Sequence, residues 1–244
     1  MENLQALLFD CDGVLVDTEI DGHRVAFNKA FANAGLDLVW GVEQYAKLVE
    51  VSGGKERMRH YFNQVGWPAV AEEDHDAFVR ALHADKTNIF MNMIENGEME
   101  LRPGVARLVD ACIARGVQLA VCSTSNVRSV TAVVNVLLGP ERAKHFGGIF
   151  AGDMVKVKKP DPAVYTLAKE TLDLDPARCV VVEDTRNGLL AAKAAGMNCL
   201  ITKSAYTGGE DFTEADRVVN ELGADAGAGI GWNDLQAIVA QRQA

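Results

Sequence analysis

Two aspartates one residue apart, Asp10 and Asp12, close the first apolar run of the chain, Ala6 to Phe9, and a glycine follows them directly. A strand-to-turn boundary needs one such residue. Two carboxylates at this spacing can instead divide a reaction, one attacking and the other handling a proton. Later apolar runs end in the same way: Ser123, Thr124, Ser125 and Asn126 follow the second, Gly152 and Asp153 the third, and Glu183 and Asp184 the fourth. The third run is also followed by "KVKKPDP", with Lys158 and Lys159. Each piece alone reads as a turn, an N-cap or a solvated lysine. In an open α/β sheet, however, ligands bind beyond the carboxyl ends of the strands, so these residues converge on one edge.

Carboxylates at Asp10, Asp12, Glu183 and Asp184 repel one another and call for a cation. Hard oxygen ligands with no His or Cys companion favour Mg²⁺ over Zn²⁺. A bound Mg²⁺ and Lys159 would hold Asp10 ionised, welcome a phosphate and leave the carboxylate free to attack. Phosphoryl transfer spreads charge over three equatorial oxygens, which metal, lysine, hydroxyls and backbone amides neutralise. Asp12 stands where a second carboxyl could protonate the leaving alkoxide and later activate water.

These residues need a sheet to hold them. Short apolar runs alternate with helical stretches after residue 100, the mark of β-α units around a parallel sheet. The expected strands are Ala6 to Phe9, Val117 to Cys122, "GIFA" near Ile149, Cys179 to Glu183, Asn198 to Thr202 and a weaker "RVV" at Val218. "PGVARLVDACIARG" places Val105, Leu108, Val109 and Cys112 on one helical face, and "NGLLAAKAAG" is a second helix. The segment between the first two strands has a helical period instead. Ala26, Phe27, Ala30, Phe31 and Ala34 share one face, and Phe78, Leu82, Ile89 and Met93 another. The expected architecture is therefore α/β, a Rossmann-like parallel sheet core (1–18 and 98–222) with an inserted helical domain (19–97), then a Gly-rich linker and a helix at Trp232 to Gln241 (223–244).

The 244 residues carry a net charge of -10, which disfavours nucleic acid and anionic membrane surfaces as partners. Cys11, Cys112, Cys122, Cys179 and Cys199 are odd in number and form no CxxC pair, so a reducing compartment is expected. "MENLQALLF" reads as neither a signal peptide nor a membrane span. A monomer is expected.

Taken together, "DCDGVLVDTE", "VCSTSN", "KKPDP" and "VVEDTRNGLLAAKAAGM", in this order and with a helical insertion after the first, resemble the four motifs of haloacid dehalogenase-like phosphatases with an inserted helical cap. The resemblance implies a Mg²⁺-dependent phosphatase or phosphomutase with Asp10 as nucleophile and Asp12 as general acid/base. It also implies that Ser123 and Lys159 hold the phosphate, and that Asp10, the carbonyl of Asp12 and Asp184 bind Mg²⁺ with Glu183 nearby.

The cap should select the substrate, expected to be a small phosphorylated sugar. In "VSGGKERM", Gly53 and Gly54 free the backbone to approach an anion, and Lys55 and Arg57 add charge. A Walker loop is excluded, because Lys55 precedes Glu56 rather than Ser or Thr. Arg57 could grip a second phosphate bidentately, so that a bisphosphate would bridge core and cap. "TEIDGHR", "EQYAKLVEVSGGKERM", "RPGV", "AGDMV" and "KKPDPAVY" are most similar to the CbbY-like branch, especially its plant and algal members. That likeness implies removal of the 1-phosphate of xylulose-1,5-bisphosphate, a Rubisco inhibitor, with Glu19, His23, Tyr45, Gly53, Gly54, Lys55, Arg57, Ser123, Thr124, Ser125, Asn126 and Lys159 at the substrate. Taken alone, His23 reads as a surface histidine. The implied setting is the chloroplast stroma for a plant or alga and the cytoplasm otherwise.

Within this fold the alternatives are a β-phosphoglucomutase-like phosphomutase and a phosphoglycolate phosphatase. From another class, a phospho-accepting receiver module needs neither the cap nor Asp12. An EF-hand would require Asp or Asn at Val14, Gly at Leu15 and Glu at Asp21. A glycosidase pair would leave Lys159 and the hydroxyls unexplained.

Overall fold

The computed structural model describes residues 4–71, 74–223 and 229–241. Thr18–Met99 form one compact unit, and the chain up to Asp17 together with that from Glu100 onward forms the other.

The second of these is built on six parallel strands: β1 (Ala6–Phe9), β2 (Gln118–Ser123), β3 (Phe146–Ala151), β4 (Cys179–Glu183), β5 (Asn198–Thr202) and β6 (Arg217–Val219). Their order is β3-β2-β1-β4-β5-β6, which reverses direction of growth at β1. A crevice opens at such a switch point beyond the strand ends, and β1 ends in Asp10. β2 starts one residue later than expected and takes in Ser123, because Gln118 pairs with Ala6.

Both faces of the sheet are covered, which is why the strands read as unbroken apolar runs. Ala6, Leu8, Ala120, Cys122, Cys179 and Val181 share one buried cluster with Val164, Tyr165, Ala168, Leu189 and Ala192. The alternate residues Leu7, Phe9, Leu119, Val121, Val180 and Val182 are buried as well.

The helical unit contains α1 (Arg24–Asn33), α2 (Val42–Leu48), α3 (Gly54–Val65) and α4 (His75–Glu95), with a π-helical turn at Glu19–His23 leading into α1. Its core is aromatic: Trp40 lies between Phe27, Phe31 and Tyr45, with ring centroids 4.9, 4.8 and 5.9 Å away. On α4 the buried face runs through Val79, Leu82, Lys86, Phe90, Met93 and Ile94. Phe78 and Ile89, expected there, are only half-buried, because the face is rotated by about one residue.

The remaining helices are α5 (Val105–Ile113), α6 (Val127–Ala132), α7 (Pro140–Ala143), α8 (Ala163–Thr171), α9 (Arg186–Ala194) and α10 (Trp232–Gln241). α8 packs against β2 and β3, α9 against β4 and β5, and α5 and α10 against the sheet through β2 and β4. The expected flexible linker lies largely outside the described residues, and its flanks are tied: Arg107 donates to the carbonyls of Leu222, Gly223 and Ile230. Among the described residues no helix is long and apolar enough to cross a membrane.

Candidate active site

Strand register brings the first acidic groups together. Phe9 pairs with Val121 on one side and with Val182 on the other, so Asp10 stands level with Cys122 and Glu183. Side chains alternate along a strand, so Asp10 and Glu183 emerge on the face that Ala6, Leu8, Cys179 and Val181 share with α8. The Lys159 ammonium reaches the same place from the loop before α8. It donates to Asp10 Oδ1 at 2.7 Å, Glu183 Oε1 at 2.5 Å and the Cys122 carbonyl at 2.9 Å. Lys159 is 6% exposed and Glu183 1%, so this lysine is not the solvated one its proline neighbour suggested. An ion pair so deeply buried is poor evidence for stability and fair evidence for chemistry.

Glu183 is saturated. Its Oε1 also accepts from the Tyr165 hydroxyl at 2.7 Å, while Oε2 accepts from the amide of Asp184 at 3.0 Å and from the Thr185 hydroxyl at 3.3 Å. Thr185 in turn caps α9, accepting from the Gly188 amide at 3.0 Å. The sequence did not single out Tyr165; its signal was a hydroxyl on the apolar face of α8, beside Val164 and Ala168.

Asp12 points elsewhere, and its carboxylate accepts a hydrogen bond from Ser125. Ser123, at the end of β2, is buried and accepts from the Ser125 amide at 3.1 Å. Asn126 caps α6 by accepting from the Arg128 amide at 2.9 Å, and Thr124 is half-buried beside it. Lys158 does not join the cluster; it donates to the carbonyls of Gly152 and Val155 and lies 3.5 Å from Asp153.

Burial pushes the Asp10 carboxyl up to about 8, with Glu183 and Asp12 adding repulsion and Lys159 opposing them. Burial works against the charge on Lys159, but Asp10 and Glu183 outweigh it and hold the ammonium above its usual range. The neighbourhood is thus short of positive charge, and a divalent cation would reverse the shift on Asp10. The donor set fits a hard ion. Among the described residues, Asp10, Glu183 and Asp184 bring one carboxylate oxygen each within 4.8 Å of one another, with no His or Cys in the group. Gly13 leaves the room: a Cβ there would fall 2.0 Å from Asp184 Oδ2. The side chain of Asp12 is not one of the three.

In the helical unit, Tyr45 organises a second polar cluster. Its hydroxyl accepts from Arg57 at 2.6 Å and donates to Glu19 Oε2 at 2.7 Å, and the arginine lies 3.6 Å from that carboxylate. Arg57 is therefore buried and engaged rather than projecting from a helix start. Gly53 has φ +94°, and a Cβ there would lie 2.2 Å from Glu56 Oε2, so the glycine accommodates a carboxylate of its own helix. Gly54 makes room for His83, whose Nε2 lies 2.8 Å from where a Cβ would be, and Lys55 is half-buried.

His23 is not a surface histidine. It is 3% exposed, its ring lies 4.2 Å from that of Phe90, and its Nδ1 is 2.9 Å from the Lys86 ammonium. Lys86 was not anticipated. Its signal was a charged residue on the apolar stripe of α4, between Leu82 and Phe90.

Residues 4–196 match the family described as haloacid dehalogenase-like hydrolase. A CBBY-like protein of Arabidopsis thaliana is 57% identical over 221 residues, covering 89% of this chain and 69% of that one. Protein CbbY of Cereibacter sphaeroides is 41% identical over 241 residues, covering 97% of this chain and 100% of that one. A crystal structure of a CbbY variant from Rhodobacter sphaeroides, in complex with xylulose-1,5-bisphosphate, superposes with a TM-score of 0.83 at 39% identity. That superposition covers 93% of this chain and 100% of the other. With the acidic strand ends, the lysine between them and a match running through both units, the chain belongs to the haloacid dehalogenase-like hydrolases.

Proposed function

We propose that this phosphatase removes the 1-phosphate of xylulose-1,5-bisphosphate, with Asp10 as nucleophile and Asp12 as general acid/base. The observation that carries the chemistry is the Lys159 ammonium held between Asp10 and Glu183, with Asp184 beside them. The substrate rests on the likeness to a protein whose crystal structure holds that bisphosphate.

An Asp10 carboxylate oxygen attacks phosphorus as the bond to the sugar oxygen breaks, and Asp12 gives its proton to that oxygen. Asp12 then takes a proton from the water that attacks the aspartyl phosphate, which releases inorganic phosphate and restores Asp10. Lys159, Ser123 and the backbone amides of the β2 loop face the phosphoryl oxygens, with Thr124, Ser125 and Asn126 around them. Asp10, Asp184 and the carbonyl of Asp12 would hold Mg²⁺, which supplies neutralisation of the phosphoryl charge. Glu183, with both oxygens engaged, serves to hold Lys159 rather than to ligate directly.

The second cluster is proposed to recognise the rest of the substrate: Arg57, poised by Tyr45 and Glu19, with Lys55 and with His23 backed by Lys86. Gly53 and Gly54, at the start of α3, leave room for the side chains of Glu56 and His83.

The deciding experiment measures Mg²⁺-dependent phosphate release from xylulose-1,5-bisphosphate beside ribulose-1,5-bisphosphate, phosphoglycolate and β-glucose 1-phosphate, with all products identified. Preference for the first, yielding xylulose 5-phosphate, supports the reading. Glucose 6-phosphate from β-glucose 1-phosphate, or preference for phosphoglycolate, overturns the substrate and leaves the catalytic aspartates in place.

A further inference from the structure

Among the described residues, the guanidinium of Arg102, in "RPGV" just before α5, hydrogen-bonds main-chain carbonyls and no carboxylate. One nitrogen donates to Gly13 and, at 3.4 Å, to Thr202; the other donates to Lys203 at 2.6 Å and Asn220 at 3.3 Å. Its own amide donates to the Leu15 carbonyl at 2.8 Å. One residue thus ties the turn after Asp12 to the ends of β5 and β6.

The turn it holds has two features that bear on the cation site. The Gly13 amide donates to the Val16 carbonyl at 2.8 Å. The Asp12–Gly13 peptide is trans, so the Asp12 carbonyl points the opposite way, out of the turn. Gly13 also sits at φ +79° with its α-carbon against Asp184, so close that a Cβ would strike the carboxylate. The orientation of one main-chain oxygen and the seat of one carboxylate both depend on where Gly13 lies. With its amide spent on Val16, the anchor of its carbonyl is Arg102.

We propose that Arg102 is a positioning residue for the divalent-cation site, acting through Gly13 to aim the Asp12 carbonyl and seat Asp184. A planar fork serves this purpose because it reaches several carbonyls at fixed angles, which a lysine ammonium on a flexible stem does not. The inference rests on the reading that Asp10, Asp184 and the Asp12 carbonyl hold Mg²⁺.

Arg107 supplies the control. It also clips three carbonyls, of Leu222, Gly223 and Ile230, in the same unit, yet none of them belongs to the turn after Asp12. Mg²⁺ binding to the 244-residue chain without substrate is measured by titration calorimetry, with melting curves alongside, for wild type, Arg102→Lys, Arg102→Gln and Arg107→Gln. The expected result is a Mg²⁺ dissociation constant raised about tenfold in both Arg102 variants, the low end of the scale for losing a direct partner of a metal ligand, since Arg102 acts through Gly13. Arg107→Gln is expected to lower the melting temperature while keeping wild-type Mg²⁺ affinity. Excess Mg²⁺ should restore part of the turnover of the Arg102 variants.

Wild-type Mg²⁺ affinity in a folded Arg102 variant overturns the inference, as does an equal loss in Arg107→Gln. Arg102→Lys keeps the charge and gives a folded variant to measure should the glutamine not fold. A wild-type chain that takes up no Mg²⁺ overturns the metal reading itself, a result distinct from the other two.

Discussion

The carboxylate of Glu183 occupies the space that a side chain at Gly188 would need: a Cβ on the glycine would lie 1.9 Å from its carboxyl carbon. Helix α9 begins under that carboxylate, and only a bare α-carbon at its third position lets Glu183 stay between Lys159 and Tyr165. Gly188→Ala is expected to push Glu183 aside, although alanine is the better helix former. Overpacking of this kind costs about 1–3 kcal/mol. Turnover is expected to fall further than stability, because Lys159 loses the partner that fixes it over Asp10. Wild-type turnover in the purified variant would refute the role given to Glu183.

The hydrogen bond from Ser125 to Asp12 sets a second test, since it aims the proposed acid/base. An aryl phosphate such as p-nitrophenyl phosphate releases a phenolate that needs no proton, whereas a sugar phosphate releases an alkoxide that does. Asp12→Asn should therefore give a burst of about one nitrophenolate per chain and then stall, because the aspartyl phosphate lacks a base. The sugar phosphate should show no burst and a loss of about 100- to 10,000-fold. Ser125→Ala should lose about tenfold or less, the worth of one hydrogen bond, and more on the sugar phosphate than on the aryl one. Equal losses on both would make Ser125 a phosphate contact only.

Arg57 gives a prediction that separates recognition from chemistry. Its guanidinium already has partners of the right kind, a hydroxyl and a carboxylate, so its geometry is prepared in advance. Charge-assisted hydrogen bonds are worth about 1.5–3 kcal/mol. Arg57→Ala should accordingly raise KM for the bisphosphate about 10- to 100-fold, while turnover of p-nitrophenyl phosphate stays within about twofold. A parallel fall on both substrates would show that the helical unit's arginine is not reading a second phosphate.

What the sequence revealed follows a physical boundary. Cys179–Glu183, Asn198–Thr202 and Trp232–Gln241 were legible to the residue, because the apolar runs of the two strands stop at Asp184 and Lys203 and the helix starts straight after Gly231. The strand-end residues were legible for a related reason: parallel strands in one register deliver their next residues to one edge. Phe78 and Ile89 misled because large apolar side chains draw attention whichever way they face. The buried stripe of α4 passes through Val79, Lys86 and Thr87 instead. Buried polar residues were the hardest to see. Lys86 and Tyr165 are marked only by their places on apolar helix stripes, and nothing local distinguishes His23 or Arg57 from exposed residues of their types, since their burial depends on partners as distant in sequence as Lys86 is from His23.

Lys86 carries the last prediction, because it sets function against stability. Its ammonium is buried over the rings of Phe27 and Phe90, at 5.0 and 5.1 Å, with His23 Nδ1 at 2.9 Å. Cation–π contact and an imidazole nitrogen are among the contacts that offset the cost of dehydrating this ammonium. A methionine would fill nearly the same volume among the same aromatic rings without that cost. Lys86→Met is thus expected to hold or raise the melting temperature, as replacement of buried charge by matched apolar groups often does. If the lysine is kept in order to orient His23 toward substrate, the same variant should lose about tenfold or more in kcat/KM for the bisphosphate. A variant that melts lower and keeps its kcat/KM would reverse both expectations and make Lys86 a structural residue of α4.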